Sequence, residues 1–157
     1  MNRTIIGFLL VLLLANCQRN EPQMLNEPSL LNEPEKVVGT WRWEASSGGL
    51  GGGTHKPRTG ENTYLTFLNN QTFEVTRNDT LFVKGRYQVI KTQSIYSGED
   101  APAVQLTEMV RPRQITNPNF SFFHLVGDLM IIQELTSSRL SVGDNAYDGY
   151  GSSFTRK

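Results

Sequence analysis

From residue 37 onward, apolar and polar residues alternate along a succession of short segments. In the first segment the odd-numbered positions from Val37 to Ala45 are mostly apolar, and the even-numbered positions are mostly polar. A period of two is the signature of a β-strand with one buried face. Because glycine, proline, asparagine and aspartate separate each segment from the next, the pattern predicts one small all-β domain that begins at residue 37.

The alternation predicts eight strands, which cover residues 37–45, 62–68, 72–77, 81–89, 103–110, 120–126, 129–135 and 146–156. Eight antiparallel strands predict a single up-and-down β-barrel, with an interior that is filled by side chains or holds one small ligand. Gly85 predicts a bend or bulge in the fourth strand. The glycine-rich segment Ser46–Glu61 predicts a long mobile loop at the barrel mouth, and Ser137–Asn145 is assigned to a connection.

Residues 1–16 have a different pattern, a short positive start followed by an apolar run from Ile5 to Ala15. This run is too short for a membrane span, which needs about 20 apolar residues, and it predicts a signal peptide. The run ends in Leu14-Ala15-Asn16-Cys17, which resembles the lipobox of bacterial lipoproteins. The resemblance implies that Cys17 becomes the first mature residue and carries a diacylglycerol and an acyl chain such as palmitate. Multiple chains hold a protein stably on a membrane.

The resemblance to lipoproteins also implies a place in the envelope, by default the outer membrane with the protein facing the periplasm. Residues 17–36 then form a tether in which Asn-Glu-Pro recurs at residues 20–22, 26–28 and 32–34. A proline every six residues forbids a regular helix and favours extended geometry, so the tether is predicted to be a semi-stiff spacer. A repeat-based binding motif is the alternative, although three copies do not build a solenoid.

Charge and metal-binding residues limit the function classes. Lys and Arg number 15, Asp and Glu number 15, and no basic block is present, so nucleic acid is not a predicted partner. Cys17 is the single cysteine and His55 and His124 are the two histidines. Because a zinc site usually has three or four convergent ligands, no metal site is predicted.

Motifs of catalysis and cofactor binding are incomplete. The glycine-rich loop lacks the Gly-Lys-Ser/Thr ending of a phosphate-binding loop. In Asp144–Gly149, Ala146 stands at a position where a calcium loop needs a ligand, and Thr155 replaces the glutamate at position twelve. No Gly-x-Ser-x-Gly nucleophile motif occurs. We therefore expect a non-enzymatic protein without a cofactor.

Gly39-Thr40-Trp41 in the first strand, together with the strand count and Arg156 in the last strand, resembles the lipocalin pattern. With the lipobox, the glycine-rich first loop and Asp148–Arg156, residues 37–157 resemble bacterial lipocalin-like lipoproteins. The resemblance implies that Trp41 closes the barrel floor and that Arg156 packs across it. A cation over a tryptophan ring contributes about 0.5 to 2 kcal/mol, so this group, with Gly39, is predicted to be structural.

The predicted function is the binding of a small hydrophobic ligand inside the barrel of a lipid-anchored envelope protein. Pockets for such ligands are mostly apolar with a few fixed polar groups. The candidate ligand contacts are Trp43, Phe73, Arg77, Tyr87, Phe122 and His124. The same aromatic residues would fill a solid barrel. The alternative is a protein-interaction or envelope-structural module, such as an assembly factor or a hydrolase inhibitor, that acts through loops at the barrel mouth.

Overall fold

The structure is a computed structural model that describes residues 34–110 and 128–157. A 3-10 helix at Pro34–Val37 precedes the strands β1 (Gly39–Gly48), β2 (Gly53–His55), β3 (Thr63–Phe67), β4 (Thr72–Arg77), β5 (Thr80–Gln93), β6 (Asp100–Val110), β7 (Leu129–Leu135), β8 (Arg139–Asp144) and β9 (Tyr150–Arg156). The signal peptide, most of the tether and the strand predicted at 120–126 lie outside the described residues. Within the described ranges, no helix is long and apolar enough to cross a membrane.

Eight strands form a closed ring in the order β1-β3-β4-β5-β6-β7-β8-β9, and β9 pairs back onto β1. Each strand is antiparallel to its neighbours, and β1 bonds to β3 through its first residues and to β9 along most of its length. β2 pairs with the end of β1 at Ser46–Gly48 and lies outside the ring. The prediction of one antiparallel up-and-down barrel is therefore confirmed.

The strand β8 corrects the sequence prediction, which assigned Ser137–Asn145 to a connection. β8 pairs with β7 and β9 on its two sides, and Leu140 and Val142 are buried. The segment escaped notice because its alternation is short and is followed by Gly143 and Asp144, which are typical turn residues. β8 thus lies in the ring between β7 and β9, and β7 pairs directly with β6 on its other side.

Two element boundaries also differ from the predictions. Ser46–Glu61 was expected to be a loop, but β1 continues to Gly48 and the chain returns as β2. Glycines permit the tight turn between them, where Gly49 and Gly52 have positive φ angles of 72° and 60°. The last strand begins at Tyr150 instead of Ala146.

Gly85 lies at a β-bulge, as predicted. The pairing of β5 with β6 shifts register between Lys84 and Arg86, on either side of this glycine. A Cβ atom at Gly85 would lie 2.6 Å from the carbonyl oxygen of Thr107 and 2.8 Å from the ring of Phe73. Only glycine therefore allows the three strands to approach one another here.

The inward side chains of the described strands form one continuous apolar cluster. β3 illustrates the alternation, because Thr63, Leu65 and Phe67 are buried while the residues between them are half-buried. The cluster comprises Val37, Trp41, Trp43, Leu65, Phe67, Phe73, Val75, Val83, Tyr87, Val104, Leu106, Met130, Ile132, Leu140, Val142 and Phe154. Burial of each large apolar side chain contributes about 1.5 to 3 kcal/mol, so this cluster is the main source of stability.

Candidate functional site

The three residues predicted to close the barrel meet at one end of it. The guanidinium carbon of Arg156 lies 4.1 Å from the centroid of the Trp41 ring. Its Nη1 donates to the carbonyl oxygen of Val38 and its Nη2 to that of Lys36, both at 2.8 Å. The Trp41 Nε1 donates to the carbonyl oxygen of Val37 at 2.8 Å. We call Trp41, Arg156 and these three carbonyls the clamp.

Gly39 permits the clamp to form. Its φ angle is 139°, a conformation that residues with a Cβ atom rarely adopt. A Cβ atom at this position would also collide with Nη1 of Arg156. The Gly-x-Trp spacing therefore places a residue without a side chain next to Arg156 and places the indole ring of Trp41 under the guanidinium group.

The clamp defines two ends of the barrel. β1 begins and β9 ends at the clamp, where Trp41 is paired with Arg156, and their other ends meet where Gly48 is paired with Tyr150. The clamp also holds three successive carbonyls of the segment that leads into β1. Residues 36–38 are consequently attached at the clamp end of the barrel.

A polar group outside the barrel reinforces the contact of β1 with β9. Oε1 of Glu44 accepts hydrogen bonds from the Thr155 hydroxyl at 2.7 Å and from Nε of Arg42 at 2.9 Å. Burial by itself raises the pKa of Glu44, but the hydrogen bonds from Thr155 and Arg42 and the charge of Arg42 outweigh it and lower the pKa below its usual value.

Three of the predicted ligand contacts, Trp43, Phe73 and Tyr87, are buried in the apolar cluster. Trp43 Nε1 donates to the Ser46 hydroxyl at 2.9 Å, and that hydroxyl lies 2.7 Å from the hydroxyl of Ser152. This series of hydrogen bonds gives the buried indole N–H of Trp43 an acceptor inside the barrel, as buried polar groups require. In the described part of the chain, these predicted contacts therefore pack against the protein itself.

Tyr87 has one polar and one aromatic contact. Its hydroxyl donates to the carbonyl oxygen of Leu68 at 3.0 Å, and its ring meets the ring of Phe67 edge-on with centroids 4.7 Å apart. Burial raises the pKa of the Tyr87 hydroxyl because it disfavours the phenolate. The hydroxyl is thus a neutral donor that joins β5 to the turn between β3 and β4.

Arg77, a further predicted ligand contact, forms an ion pair with Glu61 at 3.0 Å, and the Glu61 side chain is only 3% exposed. Oε2 of Glu61 also accepts from the backbone N–H of Arg58 at 3.3 Å. Sequence reasoning missed Glu61, because nothing in its loop indicates which charge it will meet. Phe122 and His124, the remaining predicted contacts, lie outside the described residues.

An open cleft of about 370 Å³ lies between β4, β5 and β6. It reaches Phe73 between the charged side chains of Glu74, Lys84, Arg86 and Glu108. Its position coincides with the bulge at Gly85, where β6 departs from regular pairing with β5. The cleft is mixed in charge and opens on the side of the barrel.

Two loops lie at the end opposite the clamp, which we call the remote end, and a third loop is hydrogen-bonded to one of them. The two loops are the β1–β2 turn (48–53) and the β8–β9 loop (145–149), and the third is the β5–β6 loop (94–99). Gly49 N donates to the carbonyl oxygen of Gly149 at 3.2 Å, and the Tyr96 hydroxyl donates to that of Ala146. A Cβ atom at Gly48 would collide with the carbonyl oxygen of Gly149. Glycine at 48 therefore allows two of the loops to touch.

Asn145 joins the third loop to this group. Its Oδ1 accepts from the N–H of Ile95 at 2.9 Å, and its Nδ2 donates to the carbonyl oxygen of Gln93 at 3.0 Å. Its own N–H donates to the carbonyl oxygen of Leu129 at 3.3 Å. One side chain thus links β5 and its following loop to β8.

The chelating residues are dispersed in the described ranges, where no group of three or more His, Cys, Asp or Glu side chains is placed to hold a metal ion. Asp144 is buried, and its Oδ2 accepts from the N–H of Tyr150 at 3.0 Å. This bond closes the turn between β8 and β9.

No protein-family model matches the chain, and no curated protein is significantly similar to it in sequence. A search of solved structures found a lipocalin-like protein from Bacteroides uniformis ATCC 8492, known from a crystal structure. It is 16% identical, the match covers 78% of this chain and 99% of that chain, and the TM-score is 0.46. A likeness at this level carries no information about function.

Proposed function

We propose that this protein is a lipid-anchored, non-enzymatic binding protein of the bacterial envelope, held through Cys17 in the outer membrane and facing the periplasm. The clamp is the observation that carries the proposal. Arg156 and Trp41 together bind the carbonyls of residues 36–38, where the tether reaches the barrel. A barrel attached to its tether at the clamp end presents its remote end away from the anchor.

The length of the tether supports this arrangement. Residues 17–36 contain a proline in each Asn-Glu-Pro repeat, and a proline-rich chain extends by about 3.1 Å per residue. The repeated prolines favour a semi-stiff spacer. Such a spacer would separate the barrel from its membrane and leave its loops accessible to a partner.

The described barrel interior is occupied by the protein's own side chains, which favours binding on the outside of the barrel. The small hydrophobic ligand remains the second candidate, and the open cleft that reaches Phe73 is the observation in its favour. If the cleft takes such a ligand, palmitate added to the purified protein will give a one-to-one adduct in native mass spectrometry. Absence of an adduct at saturating palmitate contradicts this candidate.

Replacement of the anchoring residue tests the envelope assignment. Cells that express the full-length protein are expected to contain it in the membrane fraction, with a mass that includes the lipid. Cys17→Ala is expected to abolish lipidation and to release the protein from that fraction, and globomycin is expected to block processing of the wild type. Unchanged processing and fractionation of Cys17→Ala would overturn the proposal.

A further inference from the structure

We infer that the remote end is a recognition surface for a folded protein, and this inference rests on the proposed function because it names the partner class of the tethered barrel. The surface consists of the three loops at 48–53, 94–99 and 145–149. Two kinds of contact hold the three loops together: hydrogen bonds from one loop to another, and the hydrogen bonds of the Asn145 side chain. The loops therefore act as one surface built from separate parts of the chain.

Large apolar side chains are exposed at this end. Leu50 is 93% exposed, Tyr147 is 82% exposed and Tyr96 is 62% exposed, and each lies in a different loop of the three. Exposed side chains of this size normally occur singly. Their convergence on one hydrogen-bonded group of loops marks a contact surface.

The composition of the loops fits the recognition of a protein. They consist mostly of glycine, serine, tyrosine and asparagine, the residue types that antibody loops use. Tyrosine supplies a large, rigid contact area at a low entropic cost, while the small residues supply adaptable hydrogen bonds. Because the loops are already tied to one another, little ordering is needed when a partner binds.

The charged residues of the three loops indicate which class of partner binds there. Within the three loops the exposed charged residues are Glu99 and Asp148, and the loops contain no lysine or arginine. An acidic rim around apolar side chains is complementary to a basic patch on a protein. It disfavours an anionic lipid surface, which attracts basic segments. The tether also leaves the barrel from the opposite end, so the remote end is free of the membrane.

Photo-crosslinking in cells tests the inference with the full-length lipoprotein. A benzophenone amino acid is placed at Tyr147 or at Leu50, and Leu68 is the matched control. Leu68 is also exposed, but it follows Phe67, the strand residue that pairs with Gly39 at the clamp end. We expect the same protein adduct from Tyr147 and Leu50, identified by mass spectrometry, and no such adduct from Leu68.

Binding of the purified partner completes the test, because capture alone does not establish recognition. We expect Tyr147→Ser to weaken the affinity at least tenfold and Leu68→Ser to change it less than twofold. Asp148→Asn, which tolerates the positive φ angle of 54° at this position, is expected to slow association several-fold at low salt.

The absence of an adduct, adducts only with lipid or glycan, or equal effects of Tyr147→Ser and Leu68→Ser would each overturn the inference. Fractionation of the same cells tests the anchor separately. A crosslink from Tyr147 in protein that has left the membrane would support the recognition surface while contradicting the envelope anchor.

Discussion

Arg156 covers the indole ring of Trp41 at 4.1 Å and at the same time donates two hydrogen bonds to the chain that enters β1. A cation over tryptophan contributes about 0.5 to 2 kcal/mol, and a hydrogen bond from a charged group about 1.5 to 3 kcal/mol. The geometry requires a planar donor with several N–H groups, which only arginine provides. One side chain thus joins the last strand, the first strand and the tether.

Replacement of Arg156 by lysine is expected to lower the free energy of unfolding by about 2 to 3 kcal/mol, because an ammonium group cannot reach both carbonyls while it covers the ring. Urea denaturation followed by tryptophan fluorescence measures the change. Arg42→Lys is the control, since Arg42 forms an exposed ion pair with Glu44 and such pairs contribute little. Equal losses in the two variants would contradict the special role of the clamp.

Gly39→Ala is expected to lower the free energy of unfolding by at least about 2 kcal/mol. The new Cβ atom would collide with Arg156 Nη1, and the φ angle of 139° is strained for alanine. Gly51→Ala is the matched control. A Cβ atom at Gly51 has no neighbour within 4 Å, so the change is expected to be within about 0.5 kcal/mol of zero. Thermal unfolding of both variants distinguishes them, and an unaffected Gly39→Ala protein would refute this account of the clamp.

The barrel is the part that the sequence predicts well. Period-two alternation is a local signal, and seven of the eight predicted strands correspond to strands of the ring. The eighth predicted strand, 120–126, lies outside the described residues. β8 is a strand of the ring that was not predicted, because Gly143 and Asp144 follow only four alternating residues. These two residues are buried within the sheet and paired with β7, and no local pattern shows that.

The contacts of Glu61 and Asn145 were not predictable, and the reason is distance along the chain. Glu61 meets Arg77 and Asn145 meets Gln93 and Ile95 only after the barrel has formed. Both residues lie in segments whose composition indicates a turn, and a turn assignment does not indicate which distant residues they contact. Arg77, in turn, was predicted as a ligand contact because an inward charged residue fits the few fixed polar groups of an apolar pocket.

Glu61→Gln is expected to destabilise the protein by about 2 to 4 kcal/mol, because it leaves the largely buried Arg77 without its carboxylate. Glu134→Gln is the control, since Glu134 contacts Arg139 in an exposed ion pair at 3.8 Å, for which about 0 to 0.5 kcal/mol is expected. Urea denaturation at neutral pH measures both. A loss for Glu134→Gln as large as for Glu61→Gln would show that burial does not matter here.

Asn145→Ala is expected to loosen the β5–β6 loop locally, because it removes the acceptor of the Ile95 N–H and the donor to Gln93. Hydrogen exchange should show the Ile95 amide exchanging at least tenfold faster, while the core amides of β1 change little. Asn70→Ala is the control, since Asn70 bonds to Thr72 within its own turn. If Ile95 is equally protected in Asn145→Ala, this residue does not join the loops.

The burial of Tyr87 predicts that the stability of the protein depends on pH in the alkaline range. Burial raises the pKa of Tyr87 in the folded protein, whereas the unfolded chain has the usual value of about 10. The folded state therefore holds its proton while the unfolded state loses it, so the stabilisation is fully present below about pH 10 and declines as the pH rises through that range. Tyr87→Phe removes this titration together with the hydrogen bond to Leu68.

At pH 7 the Tyr87→Phe variant is expected to be less stable than the wild type by about 1 kcal/mol, the usual contribution of one hydrogen bond. Above pH 10 the difference is expected to narrow, because only the wild type loses stability through residue 87. Urea denaturation between pH 7 and pH 11 measures the two profiles. Tyr147→Phe, at an exposed tyrosine, is the matched control. Burial of this hydroxyl is not the cause if the difference in free energy of unfolding between the wild type and Tyr87→Phe stays constant to pH 11. The same holds if Tyr147→Phe gives the same difference.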